Sequence, residues 1–187
     1  MIEFMESKRL WYRAPEIADA EIIGKYINDE RVRGHLSVTQ FPLGLEAERE
    51  FLRSHSAAAP FVARTDVVFV FGLKKSPPDK VIGSTGLHQI NWLVRSAEWG
   101  IVIGDPKQWN KGLGREIAAR MLEYAFVGLN LNRVHLRVDA DNVGGIKCYE
   151  AAGFQLEGRQ RQNAIGPSGI TDMLLMAVLR EDWGKTR

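Results

Sequence analysis

Residues Ile101–Tyr124, IVIGDPKQWNKGLGREIAARMLEY, decide how the rest of the chain is read. The β-branched run Ile101-Val102-Ile103 stops at the breaker Gly104-Asp105-Pro106, which predicts the end of a strand. Beyond Gly112-Leu113-Gly114, apolar side chains recur at Leu113, Ile117, Met121, Leu122, Ala125 and Phe126, the spacing of an amphipathic helix. The glycines between strand and helix let the backbone turn tightly and keep side chains off the first helical amides. Those amides have no partner inside the helix and sit at the positive end of its dipole, so the turn is a natural seat for a phosphate. An ordinary bend has the same local pattern. Ile117 stands where a GxGxxG fingerprint needs its last glycine, and no Gly-Lys-Ser/Thr ending marks a P-loop.

Upstream, Arg9–Arg13 alternates as a first strand, and Pro15 and Glu16 open a helix through about Ile27. Asn28–Gly44 has little periodicity, and a second helix covers Leu45–Ser56. Two β-rich runs, Asp66–Lys74 and Lys80–Gln89, flank the hairpin loop Lys75-Ser76-Pro77-Pro78-Asp79. Asn91–Arg95 makes a turn, and Ser96–Ile103 is a third consecutive strand. Downstream, Arg133–Asp139 (RVHLRVD) alternates as a strand. Asp141 or Asn142 caps a short helix to Ala152, which Gly153 ends. Phe154–Arg161 and Thr171–Leu179 read as closing strands around a loop, Gln162–Ile170. The order is βααβββαβαββ, a mixed α/β (α+β) domain spanning residues 1–187. The glycine turn follows an antiparallel run, whereas a Rossmann fingerprint opens a βαβ unit near its start.

At 187 residues the chain can bury a single full core. An apolar fraction of 45% and a charged fraction of 26% are those of an ordinary soluble domain. A net charge of +2 is too small for the clustered basic face of a nucleic-acid binder, so none is expected as a partner. The one cysteine, Cys148, cannot form an internal disulfide and fits a reducing, cytoplasmic setting. No apolar run nears the roughly 18 residues that span a membrane. No His, Cys, Asp and Glu set has the spacing of a metal site.

A second motif, Asn142-Val143-Gly144-Gly145-Ile146-Lys147-Cys148-Tyr149-Glu150-Ala151-Ala152-Gly153-Phe154, lies about one helix and one strand beyond Trp109-Asn110-Lys111-Gly112-Leu113-Gly114. Together, W-N-K-G-L-G and N-x-x-G-x-x-x-Y-E-x-x-G-F resemble the two signatures of the GNAT superfamily of acyl-CoA-dependent N-acetyltransferases. Ala97-Glu98-Trp99-Gly100, Tyr124-Ala125-Phe126, Leu129-Asn130-Leu131-Asn132-Arg133-Val134 and Glu157-Gly158-Arg159 are similar to the RimJ/RimL-type branch. So is the opening Arg9-Leu10-Trp11-Tyr12-Arg13.

The resemblance implies a GNAT fold, with a mostly antiparallel sheet splayed at an acetyl-CoA slot. It implies that the backbone of Ile101, Val102 and Ile103 pairs with the pantetheine arm. The amides of Trp109, Asn110, Lys111, Gly112, Leu113 and Gly114 would hold the pyrophosphate. Asn142 would contact the pantetheine, and Tyr149 would protonate the leaving sulfur. Lys111 and Arg115 read as phosphate contacts or as solvated surface cations. Glu98 matches a glutamate that acts in this family as a base, usually through water, or binds a cationic amine; a structural carboxylate is the alternative. His88 reads as pocket lining or a core histidine, with a base role beside it. Gly145 costs helix propensity, roughly 1 kcal/mol against alanine, for which close approach of the cofactor is the expected compensation.

The expected activity is therefore direct acetyl transfer from acetyl-CoA to a primary amine, without a metal. The first acceptor to consider is a protein N-terminal amine. The alternatives are a polyamine, amino acid, amino sugar or antibiotic, a non-catalytic acyl-CoA-binding module, or another nucleotide-binding α/β protein. By resemblance, the acceptor side is built from Asn28–Gly44, Lys80–Trp92 and Gln162–Ile170. Arg31, Arg33 and His35, with Arg159 and Arg161, suit an anionic group on the acceptor. Dimers are common in the family, so a homodimer is compatible, although no segment marks self-association.

Overall fold

Eight strands form one sheet: β1 (Met5–Glu6), β2 (Leu10–Arg13), β3 (Val67–Leu73), β4 (Gly83–Asn91), β5 (Ser96–Ile103), β6 (Arg133–Asp139), β7 (Gln155–Gly166) and β8 (Gly169–Leu179). Their spatial order is β1-β2-β3-β4-β5-β6-β8-β7. The computed structural model describes residues 2–36, 41–56, 64–77 and 80–185. Each neighbouring pair of strands is antiparallel except β5 and β6. Those two pair only at Ser96–Arg133, Ala97–Val134 and Glu98–His135 and then separate. Beyond Glu98, β5 keeps its partner on the β4 side, through Gly83–Ile103, and has none on the β6 side.

The helices are α1 (Ala20–Asn28), α2 (Glu30–Arg33), α3 (Leu45–Ser56), α4 (Leu113–Glu123), α5 (Val143–Ala151) and α6 (Arg180–Lys185). On one sheet face α4 and α5 cover Phe69, Phe71, Leu87, Trp99, Val134, Leu136 and Val178. The six apolar positions predicted after the glycine turn are all 2% exposed or less. Burying each large aliphatic side chain stabilises the fold by about 1.5–3 kcal/mol. A π-helical turn at Tyr124–Gly128 continues α4 and brings Phe126 against Trp183 of α6. On the other face, Ala20 and Ile23 of α1 and Leu52 of α3 pack on Trp11, Val70 and Val81.

Where the chain enters α1, Ile17–Asp19 forms a 3-10 turn rather than α-helix. The Arg13 guanidinium bonds both oxygens of Asp19 at 2.7 Å, and the Glu16 amide donates to Asp19 Oδ2. Both side chains of this pair are nearly inaccessible.

Several elements differ from the sequence expectation. β1, α2 and α6 are additional, each too short to display a period of its own. Within the stretch read as irregular, the Asp29 side chain accepts the Arg31 amide and caps α2. β4 begins at Gly83 rather than Lys80, and Pro78 and Asp79 of the hairpin loop lie outside the described residues. The segment expected as a loop, Gln162–Ile170, is mostly strand: β7 runs to Gly166 and β8 starts at Gly169. Its register shifts between Gln160 and Ala164, where Gln162 has a φ of 52°. Four steps along β7 there face only two along β8, from Met173 to Thr171, and the two inserted residues interrupt the ladder, so the strand does not read as one in sequence.

Candidate active site

The split between β5 and β6 and the glycine turn meet at the C-terminal end of β5. Asp105 starts the turn by accepting the Lys107 amide at 3.0 Å, with Pro106–Gln108 as one 3-10 turn. The Trp109 indole donates to the Ile103 carbonyl at 2.7 Å, folding the turn back on the strand. Asn110 and Gly112 both have left-handed backbones, with φ of 59° and 73°. Left-handed residues that alternate with right-handed ones in a turn make successive backbone N–H groups converge into an anion-binding concavity. Gly112 is the N-cap of α4 and offers no side chain to the helix's first amides. Gly114 has a different reason to be glycine, since a Cβ there would lie 3.0 Å from Cys148 Sγ on α5. The Lys111 ammonium bonds Gln108, and its carbonyl accepts Arg9. Arg115 is exposed beside the turn.

Glu116, in the first turn of α4, fixes this helix to the β1–β2 connection. It accepts the Ser7 hydroxyl, the Arg9 amide and the Arg9 guanidinium at 2.6–2.7 Å. Partial burial works against the charge, but these bonds hold the Glu116 carboxyl below its ordinary pKa.

On α5, Asn142 is the N-cap, its Oδ1 accepting the Gly145 amide at 2.9 Å. A Cβ on Gly145 would stand 2.8–2.9 Å from the Asn142 side-chain atoms. The cap gives position 145 a reason to be glycine that is independent of the cofactor. Tyr149 sits edge-on to Trp99, ring centroids 5.6 Å apart, and beside Phe154 at 6.0 Å. Burial pushes the Tyr149 phenol well above its ordinary value, and it stays protonated at neutral pH. No described residue bonds its hydroxyl. Cys148 is likewise shifted up by burial and is a poor nucleophile at neutral pH.

Glu98, Gly100, His135 and Arg137 alternate with core positions and so share the opposite face of the sheet. Glu98 lies in register between His88 on β4 and His135 on β6, at the last couple before the strands part. Both of its oxygens are engaged by Arg137, Nε at 2.8 Å and Nη2 at 3.4 Å. Burial lowers the His135 pKa and favours its neutral form. His88 is not a core histidine: its ring is about one-third exposed, and Nδ1 lies 3.1 Å from Asp66 Oδ1. Neither Asp66 nor Arg137 stood out in the sequence. The β3–β4 register, Val67 opposite Leu87, puts Asp66 opposite His88, but a hairpin whose second strand starts late hides that register.

A cavity of about 500 Å³ opens on the far side of Trp109. Glu30, Arg31 and Arg33 of α2, His35, Trp109 and Pro167 of the β7–β8 turn line it. Two of the three segments expected on the acceptor side thus meet at one cavity, although residues 37–40 lie outside the described ones. Arg31 is paired with Asp29, whose carboxyl its guanidinium holds down at about 2.

This arrangement suits a long, phosphate-bearing acyl donor. The uncapped amides of α4 and the concavity at Asn110–Gly112 fit an anion, and the β5 edge facing the split fits an arm that bonds backbone. Among the described residues, no group of three or more His, Cys, Asp or Glu could hold a metal. Fold and site define an acyl-CoA-dependent transferase. Residues 9–155 match the family model "Acetyltransferase (GNAT) domain". The chain belongs to the GNAT acetyltransferase family and is an N-acetyltransferase with acetyl-CoA as donor. It is 26% identical to the N-acetyltransferase p20 of Bacillus licheniformis, over 97% of this chain and 99% of that protein. It is 40% identical to a spermidine N(1)-acetyltransferase of Vibrio cholerae over 103 residues, 55% of this chain and 59% of that one. The structure of a Vibrio cholerae spermidine N-acetyltransferase with CoA and spermine superposes with a TM-score of 0.80 at 26% identity, covering 93% of this chain and 97% of that one.

Proposed function

We propose that this enzyme acetylates a small primary amine that also carries an anionic group, by direct attack with both substrates bound. The cavity beside Trp109 carries this reading. Its volume is that of a small-molecule site, and Arg33 brings a guanidinium to its wall, with Glu30, His35 and the Asp29-paired Arg31 beside it. Spermidine, for which two of the relatives are named, bears no anion to meet Arg33. A peptide N-terminus, which the RimJ/RimL resemblance favours, is the second reading, because a short peptide brings both an amine and carboxylates.

At the donor side, the amides of Trp109–Gly114 would hold the pyrophosphate, with Lys111 and Arg115 in reach of its charge. The β5 edge at Ile101, Val102 and Ile103 would bond the pantetheine arm, with Asn142 beside it. Acetyl-CoA supplies a thioester carbonyl and a thiol leaving group. Tyr149, kept protonated by its surroundings, would give its proton to the departing sulfur. Glu98, the other candidate base, already accepts two bonds from Arg137.

The test is a thiol-release screen with amino acids, short peptides, amino sugars, aminoglycosides and polyamines. Anionic amines should turn over, and Arg33→Ala should raise KM for them more than it lowers kcat. Turnover of spermidine alone would refute the anionic acceptor. Acetyl-CoA at a hundred times its Kd should stabilise the fold by about 2.7 kcal/mol, and no shift with acetyl-CoA or CoA would refute the donor site. Sedimentation would test the homodimer common among relatives.

A further inference from the structure

We propose that His88, oriented by Asp66, is the base that takes the proton from the attacking amine, in place of Glu98. The proposal rests on the acetyl-transfer reading of this site. Three observations on the sheet face that carries Glu98 and His135 lead to it.

The first is the tautomer. Three donors surround the Asp66 carboxylate: the Thr65 hydroxyl, the His88 ring and, at 3.4 Å, the Gln89 amide. Although partial burial opposes it, their net effect lowers the Asp66 pKa, so the group is ionised at neutral pH and can only accept. Nδ1 of His88 must then carry the hydrogen, and a neutral ring presents a bare Nε2. No described residue bonds that nitrogen.

The second is where Nε2 points. It lies 3.0 Å from the place a Cβ would take on Gly86, and 3.7 Å from the corresponding place on Gly100. Gly86 and Gly100 are register partners, so the ring rests on a floor without side chains. From His88 the ring leans along that floor toward Gly100, the residue before Ile101. β5 has by then lost β6, and the backbone that would meet the acyl arm begins. The third observation is the state of Glu98. Its two oxygens already accept from one guanidinium, a charge-assisted partner that His88 Nε2 lacks among the described residues.

The other charged groups near His88 are few. Asp66 and Glu98 flank it on the neighbouring strands, with Arg137 behind Glu98. α1 also packs on β4, but its Glu21 and Lys25 are exposed.

In the step proposed, Nε2 accepts one N–H proton as the amine lone pair closes the C–N bond. Tyr149 gives its proton to the sulfur, which leaves with the electron pair of the C–S bond. The imidazolium proton then restores the phenol through water. The proton that the free ammonium sheds before attack goes to solvent. Asp66 touches no substrate; it is a positioning residue.

The experiment compares pH–rate profiles of wild type, His88→Gln, Asp66→Asn and Glu98→Gln with the best amine from the screen. A thermal shift with acetyl-CoA confirms that each variant is folded and loaded. His88→Gln should lower kcat at neutral pH by at least about 10²-fold, with acetyl-CoA affinity unchanged, and should abolish the acid limb that belongs to the enzyme. Asp66→Asn removes the acceptor that fixes Nδ1–H, so kcat should fall while acetyl-CoA affinity stays unchanged. Glu98→Gln should leave the limb where the wild type has it. Nitrogen-15 NMR of the imidazole should show Nδ1–H in the wild type and a changed tautomer balance in Asp66→Asn. A His88→Gln enzyme with wild-type kcat, or a limb that moves only in Glu98→Gln, would overturn the proposal while acetyl transfer stands. A wild type that releases no thiol with any amine overturns the acetyl-transfer reading and this one with it.

Discussion

Tyr149 and Asp19 bear opposite consequences of burial. Around Tyr149, apolar rings raise the phenol pKa, so the proton stays available across the physiological range. Tyr149→Phe should lower kcat by roughly 10²-fold or more while acetyl-CoA affinity stays within error. Unchanged turnover would remove Tyr149 from the chemistry. Asp19 does no chemistry and is held by one buried guanidinium. Removing one member of such a pair leaves the other uncompensated, at a cost of about 3–5 kcal/mol. Asp19→Ala should therefore lower the urea midpoint markedly, and a shift no larger than that of a surface Asp→Ala control would contradict this. Tyr149 stands out in the sequence because its register from Asn142 belongs to a recurring motif; its role is what the substitution above tests. Asp66 does not stand out, because its importance lies in a partner across the sheet that no local pattern names.

Elements were legible in proportion to the length of their period. α4 showed three turns of apolar spacing, and β5 and β6 alternated cleanly, so their bounds match the structure closely. The β7–β8 hairpin defeated the same logic because Asp172 accepts both the Gln162 amide and Arg159, stabilising a two-residue bulge that interrupts the ladder midway. In α5, the cap and the glycine belong to one device. Asn142→Ala should cost about 1 kcal/mol, and Gly145→Ala alone should give little or no stabilisation, because the methyl group displaces the cap. In the Asn142→Ala background, the same Gly145→Ala change should recover close to 1 kcal/mol of helix propensity. Thermal melts of the four proteins measure that coupling, and additive changes would disprove it.

Over the whole molecule, the carboxylates with depressed pKa values form an acid-sensitive set. Asp66, Glu116, Asp141, Glu157 and Asp172 accept bonds from Arg, His, Ser, Thr or backbone donors that favour their charged forms. A folded pKa below the unfolded one gives stability that is complete above the unfolded value and lost as pH falls through the folded value. The urea midpoint should therefore hold near neutrality and drop steadily once the pH passes below about 4. A midpoint that rises on acidification would contradict these shifts.

The parting of β5 from β6 gives the sheet a third border, besides those at β1 and β7. An ordinary border is a hazard, since its unpaired amides and carbonyls can template pairing with a strand from another molecule. This one lies in a crevice, with the sheet's own strands on both flanks and α4 and α5 behind. A foreign polypeptide strand would have to enter between two halves of a folded sheet, while a slender chain with amide groups of its own needs no such room. Self-association and the donor recognition proposed for this edge would draw on the same backbone chemistry, and the flanking strands separate them.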